Sequence, residues 1–213
     1  MTENINRPAV RSLRETLRRT TKDAHRRLDH HPLMAPLVHT QLRLSHYVLV
    51  LQILHELHAL LNVPLDKAMQ VHRLNHLYSP SPRIEWLEKD LADLGLRPFH
   101  TLRAPDLPIQ VMLDSPAAIV GTLYVIEGST LGGLVIARQL RTLIGVTPEL
   151  GGRFFHGHGE GTLERWEAFW RFADLVCGSD EFNTASIAAQ ETFAYVGRFF
   201  DANLGNNPFP NPK

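Results

Sequence analysis

Apolar positions recur at helical spacing along almost the whole chain. Leu13, Leu17, Ala24 and Leu28 stand at offsets of 4, 7 and 4, which puts them on one stripe of a helix. "LSHYVLVLQILHELHALL" predicts a second helix, with Ser45 as its cap and Pro64 as its stop. Segments around 66–77 and 83–94 predict a third and a fourth, separated by the breaker-rich "SPSP". "GLRPFHTLRAPDLP" reads as an extended loop. In "DSPAAIVG" capping residues precede Pro116 at a first-turn position, and a long apolar helix follows. "GVTPELGGRFFHGHGEG" is irregular, while "TLERWEAFWRFADLV" and "TASIAAQETFAYVGRFFDANL" predict two further amphipathic helices. There is no repeat and no alternating strand series. The expected fold class is all-α, a single domain over 1–213 with its core at 11–203 and loose tails at 1–10 and 204–213.

One stretch breaks the helical logic. "YVIEGSTLGGLVIARQL", Tyr124 to Leu140, has apolar flanks but carries Gly128, Gly132 and Gly133 in its middle, with Ser129 and Thr130 between them. Each interior glycine costs a helix roughly 1 kcal/mol relative to alanine. Gly128 and Gly132 are four apart and share a face, so something is brought close to bare backbone there. Another helix is the simpler occupant, because G-S-T-L-G is a small-xxx-small packing pattern. The alternative is a planar cofactor lying across the helix, with the Ser129 and Thr130 hydroxyls beside it.

Composition narrows the setting. Lys+Arg and Asp+Glu balance at 22 each, so bulk charge gives no argument for nucleic acid or an anionic membrane. The exception is local: Arg11, Arg14, Arg18, Arg19, Lys22, Arg26 and Arg27 face only Glu15 and Asp23 between residues 11 and 27. The single cysteine, Cys177, allows no internal disulfide and has no activating neighbours, which predicts an inert thiol. The N-terminal segment lacks the apolar core of a signal peptide. "YVLVLQILHELHALLNV" contains His55, Glu56 and His58 and is too short for a membrane span. The expectation is a cytoplasmic protein without membrane or nucleic-acid partners.

Twelve histidines invite a search for metal ligands. His72 and His76 have i,i+4 geometry but no third ligand, and "HELH" departs from the H-E-x-x-H pattern. "HGHG" at 156–159 is a weak metal loop. A carboxylate di-iron bundle needs Glu-x-x-His pairs, and the chain has none. Most histidines are expected at the surface. Glu160, Glu164 and Glu167 have no partner that marks an acid/base pair, and no phosphate-binding, dinucleotide or serine-nucleophile motif is present. His25 stands apart. It lies at the edge of the first helix's apolar stripe, and neutral imidazole is an axial ligand to haem iron. Arg18 precedes it by two turns, about 10 Å on the same face, the distance from a haem iron to its propionates. A half-buried histidine on a solvated basic helix fits the same residues.

Two segments together resemble the haem oxygenase family. "LRRTTKDAHRRLDHHPLM" is similar to that family's proximal helix, and "LYVIEGSTLGGLVIARQL" to its glycine-rich distal helix. "GGRFFHGHGEGTLERWEAF" resembles the segment that follows in the bacterial, bacteriophytochrome-associated branch. The likeness spans roughly residues 12–200.

The resemblance implies that His25 is the axial ligand to haem iron. It implies that Gly128, Gly132 and Gly133 admit the haem on its opposite face, so that the glycines make room for macrocycle and oxygen. Haem would be substrate and cofactor together, opened by O2 and electrons to biliverdin, carbon monoxide and ferrous iron. No flavin or nicotinamide motif is visible, so a ferredoxin or reductase would supply electrons, and a bacteriophytochrome could accept the biliverdin. Arg18 matches a basic position two turns before the ligand. Tyr124 lies near a family tyrosine, one residue out of register, and Arg138 and Arg165 are propionate candidates by charge alone. Gly128, Ser129 and Gly132 are the expected catalytic positions. Many family members place an aspartate directly after the first distal glycine to organise a water; here Ser129 stands there. That departure leaves an alternative open, a haem-binding or haem-sensing protein on the same fold that does not degrade its ligand.

Overall fold

The computed structural model describes residues 12–98 and 113–204. The first expected tail, most of the second and the greater part of the 95–108 loop lie outside them. Seven α-helices follow one another among the described residues: α1 (Leu13–Asp29), α2 (Leu44–Val71), α3 (Arg83–Asp93), α4 (Pro116–Ile144), α5 (Arg153–His156), α6 (Thr162–Val176) and α7 (Phe182–Leu204). The same residues contain isolated bridges from Thr147 to Leu150 and Gly151 but no strand, so the all-α expectation holds.

α4 is the axis of the molecule, packed against α7, α2, α5 and α6, while α1 lies on α7 and α3 on α2. Its first half, from Ala117 to Ile126, is buried on every side except at half-buried Tyr124, the signature of a core helix. Ser115 opens it, its Oγ accepting the Ala118 N–H at 3.2 Å, with Pro116 at the first position as expected. Gly145 closes it in the left-handed region at φ 70. α1 buries Leu13, Leu17 and Thr21 and half-buries Ala24 and Leu28, which is the predicted stripe.

Two expectations fail in α2. Ser45 is not the cap: Arg43 is the extended residue before the helix, and Ser45 sits in the first turn. Pro64 does not stop it. The helix runs on to Val71 and absorbs the front of the segment expected at 66–77, which ends in a turn at Arg73 with φ 56. An interior proline costs roughly 3 kcal/mol, since it has no N–H for the carbonyl four residues back. Burial of Leu57, Leu61, Leu65, Ala68 and Met69 on one side carries the helix across it. α2 and α4 are long and apolar enough to cross a membrane, so the short run seen in the sequence understated α2. However, 67% and 56% of their most apolar windows are buried against the other helices, which accounts for that character as core.

The irregular segment before α6 is held from α3. Asp90, fully buried, accepts Arg153 N–H on Oδ1 and Phe154 N–H on Oδ2, both at 2.8 Å, and so starts the single turn of α5. Burial raises the Asp90 pKa, and those two N–H groups oppose the rise. Asp93 accepts Gly151 N–H at 3.1 Å and pairs with Arg153, and the Tyr47 hydroxyl donates to Gly151 O at 2.6 Å.

Gly121 marks where α4 crosses α7. A Cβ there would stand 2.1 Å from the Ala185 carbonyl oxygen, so any side chain must push two core helices apart. Gly121→Ala is expected to cost about 3 kcal/mol or more, toward the upper end of overpacking effects, and denaturant unfolding will measure it. Asp90→Asn leaves one of two buried N–H groups facing an amide NH2. It is expected to cost about 1–3 kcal/mol and to speed proteolysis at 145–161.

Candidate functional site

A polar pair joins α1 to α4. The Thr21 hydroxyl donates to Leu17 O at 2.7 Å and lies 3.5 Å from the Tyr124 hydroxyl. One turn further along each helix stand His25 and Gly128. α7 underlies the pair, with the Phe193 ring meeting His25 edge-on at 5.8 Å between centroids. α6 supplies Trp166 and Trp170, each 5.8 Å from the Tyr124 ring. Arg14 closes that end, 5.5 Å over Trp170 and 3.1 Å from Glu167.

His25 is presented for ligation. Its side chain is 58% exposed, and its Nδ1 lies 2.8 Å from Asp29 Oδ2. The hydrogen bond between this carboxylate and Nδ1 fixes the orientation of the ring and leaves Nε2 outside that contact. Arg18, two turns earlier, is exposed.

The three glycines divide. A Cβ on Gly132 would meet nothing within 4 Å, and Ser129, three residues before it, is exposed on the same side. A Cβ on Gly128 would press on Trp166 Cη2 at 3.3 Å. Gly133 is buried, and its Cβ would lie 2.7 Å from the Phe155 carbonyl oxygen of α5. Thr130 is buried as well, donating to Glu127 O at 2.6 Å. On α4 the structure therefore leaves an opening at exposed Ser129 and Gly132, with half-buried Tyr124 and Gly128 before them, and turns Thr130 and Gly133 toward α5. α4 remains helical throughout.

Behind the opening lies a charged cluster that the sequence reading missed. Glu127, 3% exposed, accepts Ser81 N–H at 2.9 Å and the Ser81 hydroxyl at 2.7 Å. His158 Nε2 stands 2.9 Å from the same Ser81 oxygen. Burial lowers the His158 pKa, aided by Arg165 and Arg83, so its ring is neutral near pH 7. Arg83, 4% exposed, donates to Ile126 O at 2.6 Å and to Ser129 Oγ at 3.2 Å, with its guanidinium 5.2 Å over the Phe154 ring. Burial lowers the Arg83 pKa while Glu127 opposes the shift. The signal was present: Glu127 is the one charged residue between Asp114 and Arg138 in an apolar helix, and a buried charge demands a partner.

The remaining candidates fall elsewhere. Arg165 donates to Ser79 O at 2.6 Å, bracing α6 against the turn before α3, and Arg138 is exposed toward the end of α4. Three histidines expected at the surface are buried: His31, His55 and His58. The His58 pKa is lowered to about 3 by burial, then by Arg83 and His55. Cys177 is buried, which with neighbouring acidic groups pushes its thiol up to about 11, an inert state. No group of three or more His, Cys, Asp or Glu among the described residues could hold a metal ion, whereas haem iron asks the protein for one imidazole on a face with room opposite.

His25 with its free Nε2, and Gly132 with open space where a Cβ would be, fit that requirement. A solved haem oxygenase from Neisseria meningitidis, in NO- and CO-bound forms, is similar in fold, with a TM-score of 0.71 at 23% identity over 91% of this chain and 92% of that one. No curated protein matches the sequence. The family model described as heme oxygenase matches residues 11–202, and the chain belongs to the haem oxygenase family.

Proposed function

We propose that the protein is an enzyme that opens haem to biliverdin, carbon monoxide and ferrous iron, using O2 and electrons from a separate ferredoxin or reductase. The observation that carries this reading is His25 paired with Asp29 on α1, together with the bare, exposed backbone of Gly132 on α4. Haem, when bound, supplies the iron at which oxygen is activated and the porphyrin that is cleaved. The chain's own residues do the placing. His25 Nε2 would hold the iron, with Asp29 orienting the ring through Nδ1. Gly132 would leave the distal side free of a side chain, and Gly128 lets the Trp166 ring close on α4 beside Tyr124. Arg18, exposed two turns before His25, and the Tyr124 hydroxyl are the proposed propionate partners. A cytoplasmic setting and a bacteriophytochrome as acceptor of the biliverdin complete the proposal.

Ser129, at a position where a carboxylate is common, favours a second reading in which haem is bound and not degraded. Optical titration with hemin, followed by ascorbate or a ferredoxin–reductase pair in air, decides between them. A saturable Soret band that collapses as a broad red biliverdin band grows is the expected result. A Soret band that survives reduction supports the binding protein, and the absence of any saturable band sinks both readings. His25→Ala is expected to abolish turnover with the fold kept, and Asp29→Ala to lower it roughly 10–100-fold, as for other partners of metal ligands.

Gly132→Ala separates site from scaffold. With nothing to clash against, alanine should stabilise the haem-free protein by about 0.5–1 kcal/mol while weakening hemin binding. A variant that is more stable and binds hemin unchanged would show that this face is not occupied by the macrocycle.

A further inference from the structure

The Ser129 hydroxyl has one proton to give and two lone pairs to offer. Its proton goes to Ile126 O at 2.8 Å. Arg83 donates to it at 3.2 Å, and a guanidinium has no lone pair, so one of the two acceptor sites is taken. Arg83 also donates to Ile126 O at 2.6 Å from the same nitrogen, Nη2, so one NH2 group bridges both oxygens. What remains on the exposed side of Ser129 is a lone pair and no proton. A free serine hydroxyl rotates to suit its surroundings, donating or accepting. This one is set to accept, the role a carboxylate plays, with no negative charge of its own.

We propose that Arg83 is a positioning residue that locks Ser129 as a hydrogen-bond acceptor toward the haem-facing side of α4, so that Ser129 orients a distal water in place of a carboxylate. The assignment rests on the haem reading given above. The geometry supports a built device rather than a chance contact. Arg83 is 4% exposed, stands at the start of α3, and is pinned by Phe154 at 5.2 Å and Trp86 at 5.8 Å. Glu127, one residue before Gly128, supplies its countercharge and is itself held by Ser81. A lysine in the same place keeps the charge but ends one bond short of Arg83 Nη2, the nitrogen that reaches both Ile126 O and Ser129 Oγ.

The test is the acid–alkaline transition of the ferric haem complex, followed through the Soret and visible bands, in the full-length protein. A fixed acceptor favours the acid form, because a distal water has two protons to give and hydroxide one. Ser129→Ala is expected to move the midpoint down by about half a unit or more. Arg83→Lys should move it the same way, because a hydroxyl no longer held by Arg83 can rotate its proton off Ile126 O toward the water. The double variant should move it no further than Ser129→Ala alone. Arg83→Lys leaves the charges around this corner in place: Glu127 on α4, His158 before α6, Arg165 and Tyr78 beyond it, and neutral His58 on α2. A shift on Arg83→Lys that is present with Ser129 intact and vanishes once S129A is also made therefore reports the lock and not the field.

An unmoved midpoint in Ser129→Ala, or shifts from the two positions that add, would overturn the proposal. Should Arg83→Lys fail to fold, a crystal structure of the wild-type haem complex decides. Ser129 Oγ within bonding distance of both Arg83 and Ile126 O supports the lock, and a hydroxyl turned away from Arg83 ends it. If wild-type protein gives no saturable Soret band, the haem reading fails and this inference with it. A normal Soret band with unmoved midpoints removes only the role given to Arg83.

Discussion

The structure depends on how closely the backbone of α4 approaches its neighbours. At Gly121 the helix leaves no room for a Cβ against Ala185 of α7, and at Gly133 none against Phe155 of α5. Between these two contacts lie Tyr124, Gly128 and Ser129, so the stretch of α4 that faces the opening is held at both ends. α7 in turn holds α1: Gln190 donates to Thr20 O at 2.9 Å, Phe193 meets His25, and His31 reaches Asp201 at 3.1 Å. His25 and Gly128 thus take their relative positions from a helix that belongs to neither. A core packed at crystal-like density transmits such placement with little slack.

The second constraint is electrostatic. Glu127 and Arg83 are both nearly excluded from solvent, and neither could stay charged there alone. Each therefore demands the other, and the demand locks α3 to α4 beside the glycines. Ser81 gives two donors to Glu127, with His158 behind it, and Ile126 O and Ser129 Oγ accept from Arg83. A purely apolar contact of the same size would pack as well. It would not dictate which atom of Ser129 points outward.

The chain displayed much of this openly. Helical periodicity located six of the seven helices, because their buried stripes are long and regular; α5 is one turn made by Asp90 from another helix, and no local pattern announces it. Pro64 misled because a local breaker was weighed without the five buried side chains that override it. In the site, His25 stood out beside the apolar stripe, but only the family resemblance implied that it is a ligand. The glycines were legible as a group but not individually, since spacing alone cannot tell Gly133, which packs on α5, from Gly132, which faces open space. Arg83 was beyond reach for a different reason. Its partners lie 43 and 46 positions away, and nothing near "SPSPR" distinguishes a buried arginine from a solvated one.

The two kinds of glycine explain why the motif tolerates its cost. A glycine that lets two backbones touch recovers its lost helix propensity in packing, as Gly121 and Gly133 do. A glycine facing empty space recovers nothing in the haem-free protein. Gly132 is therefore a net loss of stability that folding alone gives no reason to keep, and Gly128, tight against Trp166, recovers only part. Such a loss is sustained where a bound group needs the space, and binding then returns stability by mass action on the folded state. The same reasoning separates Ser129 from Thr130. Both are small hydroxyl residues on one helix, yet Thr130 satisfies its own backbone in the interior, while Ser129 is tied to an arginine on another helix and left facing the opening. Neither asymmetry is needed to hold the helices together, and both are what the proposed haem site between α1 and α4 would require.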